Sequence, residues 1–236
     1  MNALFAVRLL RRAAVALLLC LPGTAVAATP VGTITHMSGT VSVRQTDGAS
    51  RILAVKSQVM EGDVLTTEKD TYVRIKFIDN AEVVMRPGTV LKITSYVFKE
   101  ADPKGDSATL DMLKGGLRAV SGAIGKRNKE AVSFVMPTAT IGIRGTHFGA
   151  LFCNGDCIGV PTADGETPAD GLYVDVADGA VSVESLAGAV ELNKFQFGFL
   201  SGRNTLMLIV PRNAGVQVRM PLSISQEVPS ASCVIQ

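Results

Sequence analysis

Tryptophan is missing from this 236-residue chain, and tyrosine occurs only three times. That scarcity argues against a carbohydrate platform built from stacked aromatic rings. Histidine is confined to His36 and His147, leaving two imidazoles for acid–base or metal chemistry. No Gly-x-Ser-x-Gly elbow, P-loop, paired metal-binding histidine motif or dinucleotide-binding glycine run occurs. The turn acids Asp63, Asp79 and Asp178 sit where aspartate bonds local backbone. Beyond the first dozen residues like charges gather nowhere into a basic patch, which removes the electrostatic footprint of a nucleic-acid binder. These absences predict a protein that is not an enzyme, with no cofactor and no resident metal.

The N-terminus reads as an export signal. Arg8, Arg11 and Arg12 form a basic region without acids, Ala13 to Leu21 a short apolar run, and Ala25-Val26-Ala27 the small residues that a signal peptidase reads. The run is about half the roughly 20 residues that a membrane-spanning helix needs, and no later stretch approaches that length. Residues 1–27 are therefore expected to be removed. Twin-arginine export through Arg11-Arg12 and lipid attachment at Cys20 are the variants; Leu19 before Cys20 disfavours the second. Cleavage leaves 209 residues and, from 23 basic residues less these three, 20 against 21 acidic, close to neutral. The expected compartment is the periplasm or beyond.

The remainder reads as all-β, with many short strands punctuated by glycine. In Tyr72-Val73-Arg74-Ile75-Lys76-Phe77, Val73, Ile75 and Phe77 share one face while Tyr72, Arg74 and Lys76 share the other, as in a half-buried strand. Asp79-Asn80 supplies a turn and Glu82 to Met85 the returning strand. Lys99 to Ser107, Gly122 to Glu130 and Pro161 to Gly171 read as loops. Leu110 to Val120 reads as strand–turn–strand, broken at Gly115-Gly116. Short strands are expected through Val181–Val183, Val190–Leu192, Leu206–Val210 and Val216–Val218, then an irregular tail from Pro221. An echo links Gly39-Thr-Val41-Ser-Val43, Gly179-Ala-Val181-Ser-Val183 and Gly188-Ala-Val190-Glu-Leu192; its intervals are too irregular for a solenoid.

Cys153-Asn-Gly-Asp-Cys157 encloses a turn-forming pair between two thiols, and in an oxidising compartment predicts a disulfide pinning a hairpin. A redox-active pair would need one residue fewer and a thiolate-stabilising neighbour. A zinc site drawing on His147 lacks a fourth ligand. Cys233, near the C-terminus, is left free or pairs between molecules.

Pro137-Thr-Ala139-Thr-Ile141-Gly142-Ile143-Arg144-Gly145-Thr146-His147-Phe148 resembles the signature of the FecR domain. Upstream, Gly39 with Val41, Gly62-Asp63-Val-Leu65-Thr-Thr67 and Val84-Met-Arg86-Pro87-Gly-Thr89 fall in the order the family shows. The resemblance is strongest over 31–151 and extends more weakly to 202, so that 28–202 reads as the domain and 203–236 as C-terminal strands and tail. It implies a periplasmic all-β module, β-helix-like or sandwich-like. The best-known members relay a signal from an outer-membrane transporter to a cytoplasmic sigma factor through an anti-sigma segment and one transmembrane helix. This sequence shows neither segment, so the expectation is a module that binds a periplasmic or outer-membrane protein, or an envelope polymer. A thiol oxidoreductase, an unrecognised hydrolase and a subunit self-associating through Cys233 are the rivals. Gly39, Gly62, Asp63, Pro137, Arg144, Gly145 and Thr146 are read as structural: glycine for a close turn, arginine as a brace for carbonyls or a carboxylate, threonine closing the turn through its hydroxyl.

Overall fold

The computed structural model describes residues 29–225 except 158, 161, 163 and 164. The expected signal segment, Cys20 and Cys233 lie outside the described residues. Strands dominate: β1 Pro30–Met37, β2 Val41–Arg44, β3 Ser50–Leu53, β4 Gln58–Met60, β5 Val64–Thr67, β6 Val73–Phe77, β7 Glu82–Met85, β8 Val90–Val97, β9 Ser107–Val120, β10 Val132–Val135, β11 Thr140–Cys153, β12 Gly171–Ser185, β13 Gly188–Asn193, β14 Phe197–Leu200 and β15 Leu208–Val210. Two short helices, α1 Ala123–Arg127 and α2 Leu222–Ser225, and a 3-10 turn at Pro103–Gly105 complete the described part. Among the described residues no helix is long and apolar enough to cross a membrane.

All fifteen strands form one connected sheet, and three of them are long enough to bend and serve two sets of neighbours. The first part of β9 pairs with β8 and β10, its last part with β7 and β11. β11 pairs first with β10 and then with β9, and β12 changes from β14 to β13 along its length. The sheet is thereby divided into two leaves. One runs β3-β2-β5-β8-β9-β10-β11-β12-β13, the other β4-β1-β6-β7-β9-β11-β12-β14-β15. They face each other across one core: Phe77 of β6 stacks on Tyr96 of β8 at 4.4 Å, and Phe134 of β10 meets Phe148 of β11 edge to face at 5.1 Å. Ile34, Leu65, Ile75, Met85, Leu91, Ile93, Leu117 and Ile141 fill the interior, nearly inaccessible to solvent.

Glycine sits where the long strands turn. Gly115 has φ +84°, and a Cβ there would lie 2.7 Å from the Thr89 Cα, so the expected break at Gly115-Gly116 is a bend inside one 14-residue strand. Between Arg144 and Phe148 the β11–β12 register slips twice, with Gly145 and Gly179 both at positive φ; a Cβ on Gly179 would lie 2.6 Å from the Gly145 carbonyl oxygen. The glycine of the second echo is thus a corner within a strand.

Other expectations are corrected. Gly122 to Glu130 contains α1, its first turn held by the Asp79 carboxylate accepting from the Ile124 N–H at 3.1 Å. Val216–Val218, expected as a short strand, joins no strand ladder. Arg74, assigned by alternation to the open face of β6, is 3% exposed. What buries it is the C-terminal segment 211–225, laid across the outer face of the second leaf.

Candidate functional site

The outer face of the second leaf carries the polar residues that alternate with core residues. Cross-strand register aligns Arg74 with Val84, Val84 with Arg118, Arg118 with Gly149, Gly149 with Asp175 and Asp175 with Phe197. Six residues from six strands make one row, and the C-terminal segment crosses it.

That crossing is held by charge-assisted hydrogen bonds. Arg118 Nη1 donates to Asp175 Oδ2 at 3.0 Å and to the Val218 carbonyl at 2.7 Å, while the Val218 N–H donates to Asp175 Oδ1 at 2.9 Å. Arg74 Nε donates to the Ile224 carbonyl at 2.8 Å, and its Nη1 lies 3.8 Å from Glu82. Gly149 permits the close approach: a Cβ there would stand 2.4 Å from Asp175 Oδ1 and 2.6 Å from the Val218 Cβ. Val216 and Val218 bury themselves with Leu151, Tyr173 and the two cysteines in a small second core. Arg118 Nε also donates to His147 Nε2 at 2.7 Å; burial and the adjacent guanidinium hold the imidazole below its ordinary pKa, so it accepts as a neutral base. Two clefts flank the segment. One, of ≈ 450 Å³, lies beside Arg74, Glu82, Arg118 and His147; the other, of ≈ 500 Å³, beside Tyr72, Arg86, Arg212 and Arg219.

The residues singled out by sequence are scattered. Cys153 and Cys157 are bonded, with Cα atoms 5.4 Å apart, but Cys157 lies in the loop after β11, so the bond closes a turn at a strand end rather than pinning two strands. His147 Nε2 is occupied by Arg118 and the thiols by each other; among the described residues no group of three metal-ligating side chains forms. A Cβ on Gly39 would strike the Thr71 hydroxyl, and one on Gly62 the Thr46 methyl. Asp63 is buried and accepts from the Met60 N–H at 2.9 Å; desolvation nevertheless raises its pKa. Pro137 offers its carbonyl to Arg203 at 2.9 Å. The Thr146 hydroxyl donates to the Ala180 carbonyl at 2.6 Å and accepts from the Arg144 N–H at 3.1 Å, closing the Gly145 bulge. Arg144 itself faces solvent, 3.4 Å from an equally open Glu191. Bracing of carbonyls falls instead to other arginines, among them Arg74, Arg118, Arg127 and Arg203. Sequence reasoning missed Arg118 and Asp175; the available signal was a charged residue amid alternating apolar ones in Leu117-Arg118-Ala119 and Val174-Asp175-Val176.

Geometry thus defines a two-leaved β-module whose outer face is strapped by its own C-terminal segment. Residues 63–191 match the model of the FecR protein family, more than half of the chain, and the chain belongs to that family. No curated protein matches it. Among solved structures, a candidate anti-sigma factor from Parabacteroides distasonis ATCC 8503, seen in two crystal structures, is similar at a TM-score of 0.46 and 15% identity over 64% of this chain. The chain spans 60% of that protein's length. A cell surface anchoring domain is similar at a TM-score of 0.26 and 27% identity, over 26% of this chain and 82% of its own. At these TM-scores neither likeness carries an argument about role.

Proposed function

We propose that the chain is an exported, non-enzymatic FecR-type interaction module in envelope signalling, which captures an extended segment of a partner protein by strand addition at β15. Membership in the FecR family supports the signalling part. The pattern of residues 1–27 and the Cys153–Cys157 bond support the periplasm, because disulfides persist in oxidising compartments.

The observation that carries the docking mode is the edge itself. Among the described residues β15 pairs only with β14, so its outer N–H and C=O groups have no ladder partner. Its side chains are unusually open, Leu208 at 60% and Ile209 at 52%. Leu206 extends the strip toward Leu186, whose turn is tied to the same loop by the Leu186 N–H to the Arg203 carbonyl at 2.9 Å. An apolar, uncharged edge is a liability unless a partner strand covers it.

A photo-crosslinking residue at Ile209, introduced in intact cells, tests this. Adducts to one envelope protein, lost when Leu208→Pro removes the edge but retained in a control bearing Ile52→Lys, are expected. Adducts that persist in the Leu208→Pro variant, or a product of twice the chain's mass alone, would replace this reading.

A further inference from the structure

We infer that the cleft between β7 and the C-terminal segment is an anion site that takes a small ligand through a phosphate or carboxylate group. It is lined by three arginines, Arg86, Arg212 and Arg219, with the polar side chains of Tyr72, Asn213 and Gln217, the last accepting from Arg219 Nε at 3.1 Å, and no carboxylate of the described residues lines it. The other well-buried arginines of the fold are matched: Arg118 by Asp175 at 3.0 Å, and Arg74 by Glu82 and the Ile224 carbonyl. Arg86 differs. It is only partly accessible, its Cδ packs beside Gly116, and burial lowers its pKa while only the Tyr72 phenol opposes that shift. Among the described residues no acid stands within ion-pair distance of it; Glu68, Asp70 and Asp156 share with Arg86 the lining of a neighbouring depression, and Asp156 is taken by Lys114 at 3.3 Å.

A desolvated guanidinium with no ion-pair partner among the described residues is unfavourable, and a planar five-donor fork is shaped for a bidentate oxyanion. The opening of ≈ 500 Å³ is of the size that holds a small ligand. Arg86 directly follows β7, whereas Arg212 and Arg219 belong to the strap. An anion bound between them would fasten the strap to the sheet in addition to the contacts that Arg74 and Arg118 make. Binding and strap docking are therefore linked.

Calorimetric titration of the intact protein with inorganic pyrophosphate and, separately, with citrate at low ionic strength tests the site. Saturable binding of at least one probe is expected, weakened about tenfold or more in Arg86→Gln and in Arg212→Gln and unchanged in Arg144→Gln, whose guanidinium lies elsewhere on the surface. The probe that binds distinguishes phosphate from carboxylate recognition. Arg212 is exposed, so its variant keeps the test intact if Arg86→Gln fails to fold. Amide exchange of residues 212–219 is expected to slow when the probe is bound. No saturable heat with either probe, or an affinity that Arg212→Gln leaves unchanged, would overturn the inference.

Discussion

Replacing Asp175 by alanine probes the strap most directly. The Asp175 side chain is 5% exposed and that of Arg118 14%. Substitution strips the Val218 N–H of its acceptor and leaves the Arg118 charge with the Val218 carbonyl and His147 as partners. Removing one member of a buried pair costs about 3–5 kcal/mol, largely through the charge left behind. Arg118 keeps a strong acceptor and some water, so the lower end applies, about 3 kcal/mol. At roughly 2–4 °C per kcal/mol for a protein of this size, the melting temperature falls by about 6–12 °C. Differential scanning calorimetry reads that shift, and amide exchange locates it at Val216 to Met220. Adding Arg118→Met to Asp175→Ala recovers part of the loss, since the stranded charge goes with it. An unchanged melting temperature together with unchanged exchange over the strap would refute this account, and so would a double variant as unstable as the sum of the two single ones.

Tyr96 donates its hydroxyl to Asp79 Oδ1 at 2.7 Å, and burial beside that carboxylate raises its pKa far above the ordinary phenol value. Because the folded value is raised, its contribution is complete below the unfolded pKa near 10 and fades as pH rises beyond it. Tyr96→Phe is expected to cost about 1–2 kcal/mol at pH 7 by urea unfolding, a gap that narrows toward pH 11; a constant gap would count against it. Replacing Cys153 and Cys157 together by serine opens a five-residue loop, worth about 2 kcal/mol of closure entropy, or roughly 4–8 °C in melting temperature. Partner crosslinking at Ile209 should survive that change, whereas thiol–disulfide exchange activity lost with the cysteines would revive the oxidoreductase reading.

Much of the β-framework is legible in the sequence because its causes are local. Val73, Ile75 and Phe77 alternate with polar residues, and period two alone places them on the core face of β6. Asn154-Gly155 between two cysteines makes a turn short enough for the two thiols to meet. The Gly145 corner is likewise written in Arg144-Gly145-Thr146, since the Thr146 hydroxyl bonds within the same short stretch. Errors arose where a long-range partner decides. Gly115-Gly116 looks like a turn, yet β8 and β7 lie along successive parts of β9 and keep it one strand. Arg74 has the pattern of a solvated residue, and only a segment some 150 residues away buries it.

The sequence by itself determined that this is a β-rich chain of short alternating strands, with a small disulfide and FecR-like motifs. Each of those properties depends on residues close in the chain. Tertiary structure alone decided that the sheet folds into two leaves, that Arg74, Arg118 and Asp175 align across neighbouring strands, and that the C-terminal segment covers them. Arg118 and Asp175 stand 57 positions apart. Their pairing follows from strand register, which is set by the packing of both leaves together and leaves no mark on the spacing along the chain.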